Sequence, residues 1–324
     1  LRQRRQGLLR ALRCGTMLAA SPWQAIAQQL LGAAASDEVG PAADPGARHS
    51  VLTSDGVRLS LLERTPAGPA GRGDADAGAS AAPEPGATTI VLLPGWCMPA
   101  TIWRAQLLGL GERWPTVAID PRGQGESQIP ADGYTADRRA DDLHDVLQTI
   151  DEDQRIVLVA WSLGVLEALQ YFQRHGSGRL LGLALVDNSI GEPPAPQSSG
   201  AFLRDLRQAR APTVERFVRA MFAHPPPEFL IEQIRASTLR MPLEASLALL
   251  SYPMPREHWR ELTHAFDRPL AYLITPHYRE QAMHLRQAHP QALVEIFEHA
   301  GHALFVDEAQ RFNRVLSGWI EGLA

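Results

Sequence analysis

Cysteine is nearly missing: Cys14 and Cys97 are the two in 324 residues. Placed far apart in unlike contexts, they make no disulfide framework and leave the redox compartment open. No apolar run reaches the roughly 18–20 residues a spanning helix needs, which excludes an integral membrane segment of that kind. Positive charge is not in excess, since 31 Lys+Arg against 36 Asp+Glu leave a net charge of -5. Nothing therefore prepares the chain for nucleic acid or an anionic surface. The 11 histidines are scattered, and even His299 and His302 lack a third partner at ligand spacing, so no metal is expected. What remains, 45% hydrophobic and 21% charged residues, is the composition of an ordinary globular protein that needs no staple for its core. A small-molecule substrate is the expected partner, and the oligomeric state is not readable.

Residues 1–47 read as an N-terminal extension. Arg2, Arg4 and Arg5 precede a moderately apolar stretch over 8–27, and Ala25-Ile26-Ala27 resembles a cleavage site for export. Arg10 and Arg13 interrupt that stretch, and an amphipathic helix or a misplaced start site is the competing reading. The location is accordingly cytoplasmic, or periplasmic or secreted if the segment is an export signal. Residues 32–49 have the Ala, Gly, Asp and Pro content of a linker, and 66–88 that of a flexible insertion with little to bury.

Between and beyond these segments the pattern is ordered. Ser54-Asp55-Gly56 divides two short alternating runs, as in a β-hairpin. Six apolar runs then follow, at 89–93, 116–120, 156–160, 181–187, 270–275 and 292–297, and they suit strands buried on both faces. Helical patterns at 101–112, 135–150, 163–174, 278–288 and 307–323 alternate with them. The expected fold is α/β, a doubly wound and mostly parallel sheet with helices on both faces. Residues 48–189 and 266–324 form its core. Residues 190–265, helical and broken by prolines such as Pro225-Pro226-Pro227, are expected as a helical cap between the sixth and seventh strands. Such a cap lies over the sheet edge where ligands bind.

Three segments carry chemistry. Ala160-Trp161-Ser162-Leu163-Gly164 lies between the fifth strand and a helix. A serine is a nucleophile only when exposed, oriented and given a base. A sharp strand-to-helix turn exposes it and demands small residues two before and two after, here Ala160 and Gly164. Leu93-Pro94-Gly95-Trp96-Cys97 follows the third strand. Its Trp96 N–H and the N–H of Leu163 are candidate donors to an oxyanion, whereas Cys97 reads as a buried thiol. Ala300-Gly301-His302 lies between the last strand and last helix, where His302 can serve as the base for Ser162. The turn Asp120-Pro121-Arg122-Gly123-Gln124-Gly125-Glu126-Ser127 after the fourth strand reads as structural support nearby.

Together these segments resemble the α/β-hydrolase superfamily, over about residues 48–324. Gly95-Trp96 with Trp161-Ser162-Leu163-Gly164 is most similar to small carboxylesterases, including the pimeloyl-carrier-protein methyl ester esterases. The resemblance implies ester hydrolysis through an acyl-enzyme, without a cofactor. Transfer of the acyl group to another acceptor would use the same parts. The family's acid is expected after the seventh strand, yet Thr275-Pro276-His277-Tyr278-Arg279-Glu280 contains no aspartate. Asp187, after the sixth strand, is then the favoured acid, because some family members carry it there. The alternatives are Glu280 or no acid at all, and Asp267 belongs at the wrong end of the sheet. Two other functions compete. Cofactor-free dioxygenases of this fold share the Gly-Trp-Cys loop but use a histidine where Pro94 stands. A ligand-binding member without catalysis is the other.

Overall fold

The hairpin around Ser54-Asp55-Gly56 opens the sheet in a computed structural model that describes residues 45–67, 87–196 and 200–323. The expectations for Cys14, for the extension up to residue 44 and for residues 68–86 lie outside the described residues. Strands β1 (Ala47–Leu52) and β2 (Arg58–Arg64) pair antiparallel, with Leu52 opposite Arg58. Gly56 takes φ +82° in the turn, a backbone that glycine adopts without steric cost.

The rest of the sheet is parallel: β3 (Thr88–Leu93), β4 (Thr116–Asp120), β5 (Arg155–Trp161), β6 (Leu180–Val186), β7 (Leu270–Ile274) and β8 (Leu293–Ile296). The order is β1-β2-β4-β3-β5-β6-β7-β8. Beyond β3 the sheet grows to one side with β4 and to the other with β5. The strand order thus switches direction between β3 and β5, and in such sheets ligands bind at the carboxyl ends of the strands beside that point.

Alternation within buried strands feeds two cores. In β5, Val157, Val159 and Trp161 face one cluster while Ile156, Leu158 and Ala160 face the other. All six are at most 1% exposed, and each large aliphatic among them contributes about 1.5–3 kcal/mol by burial. Helices α1 (Arg104–Leu110), α2 (Ala136–Leu147), α3 (Leu163–His175), α9 (Arg279–Ala288) and α10 (Ala309–Glu321) flank the sheet. The Thr135 hydroxyl caps α2 by accepting from the Arg138 N–H. The helix expected over 307–323 is shorter, because the chain turns at Glu308 (φ -121°, ψ 50°) after a single turn at Leu304–Asp307.

Between β6 and β7 come α4 (Ala201–Gln208), α5 (Arg210–Ala220), α6 (Glu228–Arg240), α7 (Leu243–Leu249) and α8 (Arg256–Ala265). Their apolar residues Leu206, Val214, Val218, Ile231, Ile234 and Leu249 join the same core cluster as Trp96 and Leu163. The chain has no lysine, so its ion pairs with carboxylates use guanidinium groups and histidines.

Candidate active site

The turn from β5 into α3 is sharp. Ser162 sits at φ 55°, ψ -124° between Trp161 and the first residue of the helix, and its N–H donates to the Val186 carbonyl at 2.9 Å. A Cβ on Gly164 would come within 2.9 Å of the Pro94 carbonyl oxygen, and one on Gly95 within 2.8 Å of Ser162 Cβ. Small residues are thus required two positions after the serine and in the loop that faces it.

Three loops meet there. The Ser162 hydroxyl lies 2.9 Å from His302 Nε2, and His302 Nδ1 lies 2.8 Å from Asp187 Oδ2. A carboxylate only accepts, so Nδ1 carries the proton and Nε2 is left to accept from the serine. The other Asp187 oxygen accepts from the Thr275 N–H at 2.7 Å and the Thr275 hydroxyl at 2.8 Å. Asp187 and His302 are 2% and 7% exposed, so little water competes for these bonds. The Trp161 indole donates to the His302 carbonyl at 2.9 Å, tying the histidine loop to the serine turn. Glu280 lies on the exposed side of α9, while Asp187 occupies His302 Nδ1. Asp267 accepts from the Ser177 hydroxyl beside the start of β7, at the far end of the strand from Thr275.

The loop after β3 is held from below by the turn after β4. Asp120 accepts from the Ala100 N–H at 2.6 Å and the Glu126 N–H at 3.1 Å. Burial pushes its carboxyl above the usual carboxylate range against these donors. Gln124 donates to the carbonyls of Gly95 and Met98 and accepts from the Cys97 N–H. The Cys97 thiol is wholly buried against the Met241 sulfur at 3.4 Å, and burial pushes its pKa well up, so it is not a reactive thiolate.

From above, the helices between β6 and β7 contact two of these loops. The Trp96 indole donates to the Ser246 carbonyl at 2.7 Å, and its ring meets Phe202 and Phe217 edge-on at 5.5 and 5.3 Å. The Ala303 N–H donates to the Met221 carbonyl at 2.9 Å. The Asp307 carboxylate accepts from the N–H groups of Gly301 and Ala223 at 2.7 and 2.8 Å. Burial raises its pKa.

Thr275 and Asp307 are supports that the sequence pattern did not single out, whereas Gln124 lies in the turn after β4 expected as structural support. Thr275 opens the very stretch that lacks the expected aspartate, and its hydroxyl explains what that stretch does instead. Among the described residues no group of His, Cys, Asp and Glu is arranged to hold a metal ion, and no helix is long and apolar enough to cross a membrane.

The sequence profile described as "Alpha/beta hydrolase family" matches residues 90–315. Among curated relatives, a non-heme chloroperoxidase of Kitasatospora aureofaciens is 38% identical over 98 residues. That match covers 30% of this chain and 35% of the relative, about a third of its length. A pimeloyl-[acyl-carrier protein] methyl ester esterase of Proteus mirabilis is 25% identical over 252 residues, 74% of this chain and 95% of that one. An esterase structure from Exiguobacterium antarcticum superposes with a TM-score of 0.69 at 19% identity, covering 84% of this chain and 98% of its own. A bromoperoxidase structure from Bacillus anthracis does so at 0.70 and 16%, covering 85% and 100%. The two structural likenesses speak for the fold, and with the profile spanning strands β3 to β8, the chain belongs to the alpha/beta hydrolase family.

Proposed function

We propose that this protein is a serine hydrolase that cleaves a carboxylic ester of a small or medium-sized substrate through an acyl-enzyme. The observation that carries the reading is the unbroken hydrogen-bonded chain from Ser162 through His302 to Asp187. In this reading Ser162 Oγ bonds to the ester carbon as its proton passes to His302 Nε2. Asp187 holds the imidazole in the tautomer that can accept that proton, and stabilises the imidazolium that results. The carbonyl oxygen gathers negative charge, which the N–H groups of Trp96 and Leu163 receive. His302 then gives its proton to the departing alkoxide as the C–O bond breaks. Water repeats the sequence on the acyl-enzyme, returning the serine and releasing the acid.

The helical segment 190–265 serves as the cap and shapes the substrate pocket beside Trp96. Phe202 and Phe217, packed on that indole, support an apolar wall there. The relatives named as esterases fit the same reading.

The test is turnover of p-nitrophenyl esters from acetate to decanoate by the protein and by Ser162→Ala, Asp187→Asn and Glu280→Gln. Ser162→Ala should abolish turnover, and Asp187→Asn should lower kcat by up to about 10⁴-fold through the wrong tautomer. Glu280→Gln should leave it unchanged. No turnover of any ester, together with no fluorophosphonate labelling of Ser162, would sink the proposal.

A further inference from the structure

We propose that Gln124 is the positioning residue of the oxyanion loop, holding the Trp96 N–H in register with the Leu163 N–H. The inference rests on the esterase reading above and concerns how its two donors are kept together.

Gln124 is wholly buried in the turn after β4. Its own backbone is fixed there, donating to the Pro121 carbonyl at 2.8 Å and accepting from the Ser127 N–H at 3.0 Å. The carboxamide has two N–H donors and two acceptor lone pairs, and all four are engaged. Nε2 donates to the Gly95 carbonyl at 3.1 Å and the Met98 carbonyl at 2.9 Å. Oε1 accepts from the Cys97 N–H at 3.2 Å and from the Arg139 guanidinium at 3.4 Å. Only one orientation of the amide works. Flipped, its oxygen would face two carbonyl oxygens and its NH2 would face an N–H and a guanidinium.

Three of these contacts fall on Gly95, Cys97 and Met98, on either side of Trp96. The fourth leads to the other donor. Arg139 engages both oxygens of Glu167 at 2.8 and 2.9 Å, a two-pronged geometry that fixes direction as well as distance. Glu167 stands on α3, one turn beyond Leu163, and also accepts from the Tyr252 hydroxyl at 3.0 Å. A continuous polar chain, Glu167–Arg139–Gln124, thus joins the helix that presents the Leu163 N–H to the loop that presents the Trp96 N–H. Its members are at most 3% exposed, so water cannot readily replace a lost partner.

The experiment compares wild type with Gln124→Glu, Gln124→Leu and Gln124→Asn. Glutamate puts an oxygen where two carbonyls need a donor, leucine removes the polar hub, and asparagine withdraws the amide by one methylene. Rates with p-nitrophenyl butyrate are expressed per site titrated with a fluorophosphonate, which corrects for any misfolded fraction, and inhibition by a trifluoromethyl ketone is measured alongside. The expected result is a kcat about 10- to 100-fold lower with KM changed by less than about threefold. The ketone's Ki should rise by the same factor, since its tetrahedral adduct uses the same two donors. The role is overturned if kcat per titrated site stays within about twofold of wild type in all three variants. It is equally overturned if kcat falls while the ketone's Ki does not move. A wild type that turns over no ester would instead refute the esterase reading itself.

Discussion

Gly95→Ala is the sharpest probe of how closely the loop after β3 approaches the serine. Its φ is not in the left-handed region, so the substitution introduces no backbone strain and acts through space alone. The added methyl would stand 2.8 Å from Ser162 Cβ, 3.3 Å from Ser162 Oγ and 3.3 Å from Trp161 Cε3. Carbon atoms settle at about 3.5–4.0 Å, so one side must retreat by roughly 0.7–1.2 Å. The serine is fixed by its bond to Val186 and by the start of α3, and the Trp161 ring by its bond to His302. The loop, carrying the Trp96 N–H, is the part that must yield. A misplacement of about 1 Å in a catalytic constellation costs on the order of 10²-fold in rate, or about 2.7 kcal/mol of barrier. The assay is kcat for p-nitrophenyl butyrate per titrated site, with a thermal melt on the same sample. The melt should report a loss of about 1–3 kcal/mol from overpacking. A variant within about threefold of wild-type kcat would refute the claim that this contact sets the donor's position.

Two further outcomes follow from the supports of the histidine. Thr275→Val keeps the N–H bond to Asp187 but deletes the hydroxyl bond. A hydrogen bond to a charged group contributes about 1.5–3 kcal/mol, and with one of two retained, kcat should fall about tenfold; an unchanged kcat would show that the backbone bond suffices. Asp307, whose folded pKa burial raises, favours the folded state fully below its unfolded pKa, and that contribution is lost as pH rises through the folded value. Urea unfolding of wild type and Asp307→Asn between pH 4 and 8 should therefore show the wild type's relative stability declining as pH rises. Parallel curves would refute the assignment. Asp55 and Asp141, held low by hydrogen bonds and charge from Arg122 and Arg174, act in the opposite sense and cancel in this comparison.

The strands were legible because each carries its own evidence. A run such as Ile156-Val157-Leu158-Val159 is apolar on both faces, and only a sheet covered on both sides accommodates that. The serine turn was legible for a related reason: its neighbours must be small, and smallness is written in the letters Ala160 and Gly164, while the histidine was legible from its place in the loop between the last strand and last helix. The partner of His302 Nδ1 was harder to read. Asp187 stands 115 residues from that histidine, and its choice over Glu280 depends on which loop folds inward. The turn holding Gln124 was legible as support but not the contacts it makes, and Thr275 and Asp307 were not legible at all. A threonine, a glutamine and an aspartate are ordinary loop residues until the fold sets each against backbone groups distant in sequence. The break at Glu308 likewise follows from where Asp307 must turn to reach Gly301 and Ala223.

Among the described residues, the non-glycine positions with positive φ are Cys97, Ser162 and Asp187. Each ends or follows a strand at the same rim, and each such conformation costs about 1–3 kcal/mol. The molecule therefore concentrates these unfavourable backbone conformations in the loops that carry the proposed site. Glycine at any of the three would ease that tension, and at Ser162 or Asp187 it would also delete a side chain on which the proposed reaction depends. In the proposed reading, selection for heat resistance alone would thus drift toward an inert protein. A thermostable variant that still works must draw its gains from the sheet, the flanking helices or the surface, and leave this rim under stress.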